Sequence, residues 1–397
     1  MATENNNKTL NVPNLRFPKF SGEWTKTTLG KIGETFNGLT GKSGSDFGQG
    51  SPYITYKSIF DNSKIDLSRV EYVTITDAER KKQTQNEVQY GDIFFTTSSE
   101  TPDEVGMTSV LLDEVKDCYL NSFCFGYRLN SITDVLPEYM RFYLRSNTIR
   151  RRLFVLAQGS TRFNISKGEV MGLTIKLPGT AEQRKIAQLL TMIEDRIATQ
   201  IKIIEDLKKL KSAISNEIFE HTSNRQCELK EIASVIMGQS PSSHAYNNNA
   251  DGLPLIQGNL DIENGQLSPR IYTSEITQTC ECGDVILTVR APVGEIAIAQ
   301  QEACIGRGVC SIRPHVKNDT NLIYQFLQYF KPKWGSLEQG STFTAVSGTD
   351  IRGIAVSIPS TDKIKLLNVY DNKIRVESRI LTNLIQQKQY LLAQMFI

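Results

Sequence analysis

The sequence predicts an α+β fold with a pseudo-twofold internal repeat: two similar mixed α/β domains, separated by two long antiparallel helices that form a coiled coil. Two stretches about 180 residues apart, residues 158–190 and 339–370, each run from a QGST loop through an alternating apolar strand to a proline and then a long helix. Upstream, GDIFFT at 91–96 matches GDVILT at 283–288. Duplicated units of this size indicate repeated domains, since solenoid repeats run about 20–50 residues.

The bulk composition indicates a folded protein with room for two domains. The chain has 397 residues, 39% hydrophobic and 22% charged, with a formal net charge of +2. Near-neutral charge argues against a nonspecific basic coat on nucleic acid, but it leaves room for a local basic groove. The polar N-terminus lacks a signal-peptide core, no run of 18 apolar residues spans a membrane, and an odd count of seven cysteines suits a reducing cytosol. A cytoplasmic location is therefore expected.

The order of segments along the chain follows from these junctions. Phe17, Phe20 and Trp24 are expected to anchor a loose N-terminal tail, and one clear helix is expected at 137–156 inside the first domain. The predicted segments are the tail 1–22, a first mixed domain 23–178, a central helix 179–222, a second mixed domain 223–359 and a C-terminal helix 360–397.

The central helix begins with a capping-box pattern, in which Thr180 and Gln183 satisfy each other's backbone donors, just after a proline. Apolar residues then recur at steps of three or four over some 40 residues, which corresponds to a rod of roughly 60 Å. This apolar stripe comprises Ile186, Leu190, Ile193, Ile197, Ile201, Ile204, Leu207, Leu210, Ile214 and Ile218.

A second stripe follows the second proline and extends to the C-terminus. One such stripe alone is usual for an ordinary core helix, but a domain of about 140 residues cannot easily cover a seam of this length, whereas two antiparallel rods cover each other. The paired-rod interpretation is therefore favoured. This second stripe comprises Ile364, Leu367, Ile374, Ile380, Leu381, Leu384, Ile385, Leu391 and Met395.

Taken together, these segments resemble one known family. LRFPKFSGEW at 15–24, both GD strands, both QGST segments, LPGTAEQRKIA at 177–187 and the segment 358–397 occur in the order, spacing and duplication that resemble the DNA-specificity subunit of type I restriction-modification systems. No single motif is sharp, but their combination is specific and covers essentially the whole chain.

The resemblance implies a noncatalytic role in double-stranded DNA recognition. Each mixed domain would be a target-recognition domain reading one half of a split target, with the helices as a spacer between the halves. Two methyltransferase subunits and the restriction-translocase subunits would dock on the chain. S-adenosylmethionine, ATP and Mg²⁺ would be bound by those partners, so no cofactor is expected here, and the source would be prokaryotic. A spacer of this length suits half-sites about one DNA turn apart, roughly 34–36 Å.

Base reading needs Arg, Lys, Asn and Gln tips on protruding loops, because their donors and acceptors match base edges. Ser99 and Thr344 are candidates for holding phosphates, and Arg307 lies between two glycines that let it approach DNA closely. For each candidate the alternative is an ordinary solvated loop residue. Because these loops differ between the domains, an asymmetric target is expected. The base-reading candidates are Lys42, Lys57, Arg162 and Asn164 in the first domain and Gln239, Gln257, Asn259, Arg290 and Arg307 in the second.

Two other functions remain open from the residues alone. Pro102-Asp103 followed by Glu114 and Lys116 matches the spacing of a PD-ExK metal-dependent nuclease, although the second domain lacks the pattern and a charged hairpin explains it equally well. A coiled-coil adaptor whose domains bind proteins is the other alternative.

Several further patterns predict no catalytic or metal chemistry. GLTGKS at 38–43 lacks the spacing of a phosphate-binding Walker loop, although it could still touch a DNA phosphate. Cys280, Cys282, Cys304 and Cys310 could form a zinc site, but the spacing of the last two recurs in the first domain without a companion pair, which favours small core residues. No metal site is therefore expected.

Overall fold

The computed structural model describes residues 11–83, 86–221, 225–336 and 345–397. Two compact units divide the chain: unit 1 comprises Met1–Ala198 with Thr382–Ile397, and unit 2 comprises Thr199–Leu381. Within the described ranges, no helix has the length and apolarity needed to cross a membrane.

Unit 1 contains the first mixed domain and the beginning of the central helix. Its elements are β1 (Thr25–Thr28), α1 (Leu29–Ile32), β2 (Gly33–Asn37), β3 (Phe47–Ile54), α2 (Tyr56–Asp61), β4 (Glu71–Val73), α3 (Asp77–Gln83), β5 (Ile93–Thr96), β6 (Ser98–Ser99), β7 (Thr108–Val110), β8 (Tyr119–Leu120), β9 (Cys124–Leu129), α4 (Pro137–Tyr143), α5 (Asn147–Leu156), β10 (Phe163–Asn164), α6 (Lys167–Gly172), β11 (Thr174–Leu177) and α7 (Thr180–Phe219), of which residues 199–219 belong to unit 2.

A four-stranded sheet in the order β2-β9-β5-β7 and a three-stranded sheet in the order β4-β3-β8 form the centre of unit 1. All four residues of β5 are buried, as expected of a central strand covered on both faces. β1 pairs antiparallel with β11, so the chain enters and leaves the domain side by side, immediately before α7. The helix expected at 137–156 is instead two helices, because the chain leaves the helical path between α4 and α5.

Unit 2 repeats this plan. Its elements are β12 (Arg225–Glu228), α8 (Leu229–Ile232), β13 (Ala233–Met237), β14 (Tyr246–Asn247), β15 (Leu253–Ile256), β16 (Ile262–Glu263), β17 (Gln266–Leu267), β18 (Ile271–Thr273), β19 (Thr279–Cys280), β20 (Val285–Thr288), β21 (Ile296–Ile298), β22 (Ala303–Ile305), β23 (Val309–Pro314), α9 (Thr320–Phe330), α10 (Gly348–Arg352), β24 (Ala355–Ile358) and α11 (Thr361–Gln394), of which residues 382–394 belong to unit 1.

The sheets of unit 2 match those of unit 1 strand for strand in their central parts. A six-stranded sheet runs β13-β23-β20-β21-β17-β16 and a five-stranded sheet runs β14-β18-β15-β22-β19. β12 pairs antiparallel with β24 as β1 does with β11. Leu29 and Leu229 are both fully buried at the first position of α1 and α8. The predicted duplication and mixed α/β class are therefore confirmed.

The strand-proline-helix junctions also match the sequence prediction. β11 and β24 end just before Pro178 and Pro359, and α7 and α11 begin at Thr180 and Thr361. The predicted capping box at Thr180 is wrong. The Gln183 amide instead donates to the carbonyls of Asp134 (3.1 Å) and Pro178 (2.9 Å), and its oxygen accepts from the Leu136 backbone. Gln183 thus attaches the helix to the first domain.

The two long helices contact each other within each unit, but the predicted apolar stripe is interrupted. In unit 1, Ile186 and Leu190 of α7 share a core with Leu391 of α11 and with Met395, the residue that follows α11. Further along, Ile201 and Leu210 of α7 are exposed, as are Ile380 and Ile385 of α11, contrary to the prediction.

Polar pairs that are wholly or partly buried occupy part of the helix contact in unit 2. Gln200 Nε2 lies 2.5 Å from Glu377 Oε2, and Lys211 Nζ lies 2.6 Å from Asp371 Oδ1. The partner residue number on α11 falls as the number on α7 rises, so the helices run antiparallel here, as predicted. Since polar side chains make these contacts, neighbouring apolar residues can face solvent.

The segment before β1 packs on unit 1. The Arg16 guanidinium forms an ion pair with Glu182 at 2.7 Å, and the Glu182 side chain is almost completely buried. Trp24 is 2% exposed and Phe17 packs on the same core. The expected anchoring by Phe17 and Trp24 is confirmed.

Candidate nucleic-acid interface

The repeated GD motif forms a buried ion pair in each domain. Gly91 has a φ of 86°, in the left-handed region that favours glycine, and this turn directs the chain so that Asp92 enters the sheet. Arg128 on β9 donates to both Asp92 oxygens at 2.8 and 2.7 Å, and Arg313 on β23 donates to Asp284 in the same way. Burial raises the pKa of Asp92, an effect that hydrogen bonds from Arg128 oppose. The motif therefore attaches β5 and β20 to a neighbouring strand and is structural.

β5 and β20, which these ion pairs hold, each lead to a loop position that is equivalent in the two domains. Ser98 lies two residues beyond the end of β5 and pairs with Asn164, whereas Arg290 lies two residues beyond the end of β20 and pairs with Ala345. The ladder registers therefore place Ser98 and Arg290 at the same position of the repeated fold.

A second pair of equivalent loops follows the parallel strand pairs. β3 pairs with β8 and β15 pairs with β22 in the same parallel register, and a three-residue loop follows each. The loops are residues 121–123 in unit 1 and 306–308 in unit 2. Their central residues, Ser122 and Arg307, occupy equivalent positions.

Close backbone packing holds the second loop in place. A Cβ atom at Gly238 would lie 2.8 Å from the carbonyl oxygen of Ile305 and 2.8 Å from the carbonyl carbon of Gly306, closer than real Cβ atoms approach. Gly38 meets Asn121 in the same way in unit 1. These glycines are required because the loop backbone passes directly over them.

In unit 2 the loops enclose a cavity of about 590 Å³ in which four of the residues predicted to read bases come together. Gln257 and Asn259 reach it from one segment, and Arg290 and Arg307 from two others, so three separate parts of the chain contribute. The complete lining consists of Ser240, Pro241, Ser243, Tyr246, Gln257, Gly258, Asn259, Arg290, Ala291, Arg307 and Gly308.

One wall of this cavity is held rigidly by a buried carboxylate. Asp261 is 1% exposed and accepts hydrogen bonds from the backbone N–H groups of Gln257 (2.8 Å) and Gly258 (3.3 Å). The Gln257 amide in turn donates to the Tyr246 hydroxyl at 3.0 Å. The wall is thus pre-organised, which lowers the entropic cost of binding a ligand.

The charge of the cavity is positive. Arg290 and Arg307 are exposed, and neither guanidinium has an ion pair or a side-chain hydrogen bond to the part of the chain that the structure describes. The lining contains no aspartate or glutamate. Two planar guanidinium groups over a lining without carboxylates suit phosphate oxygens or guanine edges.

Another candidate of the second domain, Gln239, is not among the lining residues. Gln239 is exposed next to Ser240, and its backbone N–H donates to Ile305 at 2.9 Å. Thr344 lies outside the described residues.

In the first domain, intramolecular bonds hold two of the predicted residues. Lys42 forms an ion pair with Glu79 at 2.7 Å, and the Lys42 side chain is 6% exposed. This pair, together with hydrogen bonds from Thr76, lowers the pKa of Glu79 to about 2. Ser99 is buried and donates to Glu104 at 3.1 Å. Each would have to leave its partner to contact DNA.

The remaining first-domain candidates are accessible. Lys57 is exposed in the first turn of α2, so it lies on a helix and not on a loop. Arg162 and Asn164 are both exposed, and the Asn164 amide donates to the Arg162 carbonyl at 3.3 Å. Asn164 lies opposite Ser98, so it belongs to the same loop region as the equivalent of Arg290.

Two residues at the candidate interface, one in each domain, were not predicted from the sequence. Phe123, in the loop equivalent to 306–308, is 62% exposed, although Thr97 donates to its carbonyl at 2.7 Å and fixes its backbone. Tyr246 lines the cavity of unit 2. Extending the sequence alignment of the two GD strands as far as the next strand of each domain could have identified the loop that contains Phe123.

The residues of the nuclease alternative form no metal site. Asp103, Glu114 and Lys116 are exposed and lie outside regular strands and helices. Across the described ranges, no group of three or more His, Cys, Asp or Glu side chains is arranged to hold a metal ion.

The cysteines considered for zinc are mostly core residues. Cys280, Cys304 and Cys310 are buried, whereas Cys282 is exposed. Burial raises the pKa of the Cys280 thiol to about 11 and that of Cys310 to about 12, which disfavours the thiolate that zinc requires.

The fold and this geometry define a class: a duplicated recognition protein whose two domains present polar loops at equivalent positions. A family model described as the type I restriction modification DNA specificity domain matches residues 21–209 and again residues 224–386. The chain therefore belongs to the type I restriction-modification DNA-specificity family, and its role is DNA sequence recognition and not catalysis.

Individual relatives agree with this assignment. The chain is 29% identical over 384 residues, covering 90% of it and 89% of the relative, to a Methanocaldococcus jannaschii protein whose assigned role is specificity subunit of the type I restriction enzyme MjaX. Its fold is similar to that of a chain solved in a study of complex assembly and conformational transition of the type I R-M system (22% identity, 93% and 96% of the two chains covered, TM-score 0.60). It is also similar in fold to the type I restriction-modification S subunit from M. genitalium (17% identity, 97% and 99% covered, TM-score 0.61).

Proposed function

We propose that each domain reads one half of an asymmetric two-part target in double-stranded DNA. The observation that carries this proposal is the cavity of unit 2, where Gln257, Asn259, Arg290 and Arg307 converge without a carboxylate in the lining. Amide and guanidinium groups are the side chains that discriminate adenine and guanine edges in the major groove. The equivalent loops of unit 1 carry different side chains, so the two half-sites differ.

The long helices act as the spacer that sets the distance between the two half-sites. α7 is continuous over 40 residues, which corresponds to about 60 Å at 1.5 Å per residue. A helical connection of constant length makes the number of base pairs between the half-sites a geometric property of the chain.

The chain also assembles with catalytic subunits. Two methyltransferase subunits and the restriction-translocase subunits dock on it, and S-adenosylmethionine, ATP and Mg²⁺ belong to those partners. Leu366, Val369, Val376 and Ile380 of α11 are 38–61% exposed, and their spacing places them on one helix face within unit 2. An exposed apolar stripe of this kind is typical of a protein-binding surface.

A domain exchange tests the modular part of this proposal. Residues 23–178 are replaced by the corresponding domain of a protein with a different target, and the chimaera is expressed with the methyltransferase partner. Methylated adenines are then located by single-molecule sequencing. One half of the target is expected to change while the other half and the spacer length stay as in the parent chain. A change in both halves, or in neither, contradicts the proposal.

A further inference from the structure

We propose that the second domain reads a half-site containing guanine, with Arg307 and Arg290 as the reading side chains, and that the first domain has no arginine at either position. The proposal rests on the function proposed above and adds the base class that the cavity of unit 2 recognises. Its basis is the juxtaposition of two guanidinium groups, neither of which has an ion pair within the described ranges, at loop positions that the strand registers define.

The strand registers establish which positions can be compared. β9 and β23 begin one residue after the loops 121–123 and 306–308, and they pair with β5 and β20 in the same way. Thr96 lies opposite Cys124 as Thr288 lies opposite Val309. Both loops therefore have three residues with no insertion between them, and Arg307 replaces Ser122 in the repeated fold.

The second position follows from the same strands. Arg290 forms an isolated antiparallel bridge with Ala345, as Ser98 pairs with Asn164. Ser98 is buried, and the exposed Ser122 hydroxyl can contact any base or a phosphate. An arginine fork instead donates two parallel hydrogen bonds to the O6 and N7 atoms of guanine. The two domains therefore present different chemistry at both positions.

The surroundings of Arg307 favour base reading over phosphate anchoring. Its backbone N–H donates to Ser240 Oγ at 3.1 Å, and Gly306 and Gly308 on either side leave space for a close approach to a base edge. The loop is held by its backbone, which leaves the Arg307 guanidinium available to a ligand. Arg290 lines the same cavity, so the two groups can address neighbouring base pairs.

A double-mutant cycle between side chain and base pair tests the inference. The complex with its methyltransferase is purified with the unchanged chain, Arg307→Ala or Arg290→Ala. Equilibrium binding is measured on duplexes in which each base pair of the second half-site is replaced in turn. For the unchanged chain, replacing the guanine read by Arg307 is expected to weaken binding roughly 5- to 150-fold. For Arg307→Ala that penalty should vanish at one position only.

Two variants serve as controls. Arg307→Lys keeps the positive charge but loses the two-pronged donor, so it should retain overall affinity better than Arg307→Ala while the guanine preference still falls. Arg225→Ala removes an exposed arginine on β12 that does not line the cavity, and every base preference should stay as in the unchanged chain. An equal loss on every duplex for Arg307→Ala, including complete loss of binding, identifies a phosphate contact and overturns the inference.

Failure of this inference differs from failure of the proposed function. A complex that methylates a specific two-part target without a G·C pair in the second half-site overturns only the guanine assignment. A complex that shows no sequence-specific methylation or binding at all overturns the proposed function itself.

Discussion

Replacing Gly238 by alanine should damage the reading of one half-site and leave the other intact. The added Cβ would lie 2.8 Å from the Ile305 oxygen and from the Gly306 carbonyl carbon, where ordinary contact begins at about 3.4 Å. The loop that carries Arg307 must therefore move by more than about half an ångström, which is the tolerance of a pre-organised site.

The size of the effect follows from this overpacking. Forcing one extra carbon against buried backbone typically costs 1–3 kcal/mol, so we expect a loss of about 2 kcal/mol in the free energy of unfolding. For a compact unit of this size, that loss lowers the Tm by roughly 4–8 °C. The shift is measured by calorimetry on the purified complex.

The functional assay is the methylation pattern. Gly238→Ala should weaken discrimination in the second half-site only, whereas Gly38→Ala, which meets Asn121 in unit 1, should affect only the first. Gly179→Ala and Gly353→Ala are the matched controls, because no atom approaches their added Cβ closer than ordinary contact. A Gly238→Ala complex with the unchanged Tm and methylation pattern refutes the reasoning.

Three further outcomes are expected. Lys211→Met removes the cation that pairs with Asp371 and should lower the free energy of unfolding, measured by denaturant titration, by about 2 kcal/mol. This is less than the loss for a fully buried pair, because the Asp371 side chain is 31% exposed. Adding Asp371→Leu should recover most of that loss, and no recovery contradicts the pairing. The pKa of Glu79 is lowered from 4.5 to about 2, most strongly by Lys42 and further by hydrogen bonds from Thr76, so the stabilising contribution of this carboxylate is present above pH 4.5 and is lost as the pH falls towards 2. NMR titration should show a higher Glu79 pKa in Lys42→Met, and an unmoved pKa disproves the assignment. Phe123→Ala should weaken binding to duplexes that contain the first half-site, while the free energy of unfolding changes by less than about 0.5 kcal/mol. Equal weakening on duplexes that lack that half-site excludes a base contact by Phe123.

The repeat was predictable from the sequence because it is recorded in local patterns. Alternating apolar residues before Pro178 and Pro359 predict strands that end there, and both helices begin two residues after the prolines. A proline restricts the backbone around itself whatever the rest of the fold does. These junctions could therefore be located without coordinates.

Side-chain partners were less predictable. The spacing of Cys304 and Cys310 repeats that of Cys118 and Cys124, but the ladders place Cys124 opposite Thr96 and Cys310 opposite Leu287, so the matching pairs are displaced by one residue. A displacement of one residue turns a side chain to the other face of a strand. Only the hydrogen-bonded register could correct this alignment.

The helices show the same limit. A stripe with steps of three or four residues predicts a contact face of a helix, but it does not say which positions contact a partner. Gln200 and Lys211 are buried against Glu377 and Asp371, while Leu210 faces solvent. Polar side chains make these contacts because they have hydrogen-bonding partners on the opposite helix. Lys211 has a further partner on α9, where Gln328 accepts a hydrogen bond from it.

By itself, then, the sequence determined the duplication, the mixed domain class and the two long helices, because propensity, alternation and proline act over a few neighbouring residues. The tertiary structure decided which polar residues share a site. Gln257 and Arg307 lie 50 positions apart and meet only because β15 pairs in parallel with β22. Long-range pairing of this kind depends on how the sheets close, and no local pattern specifies it.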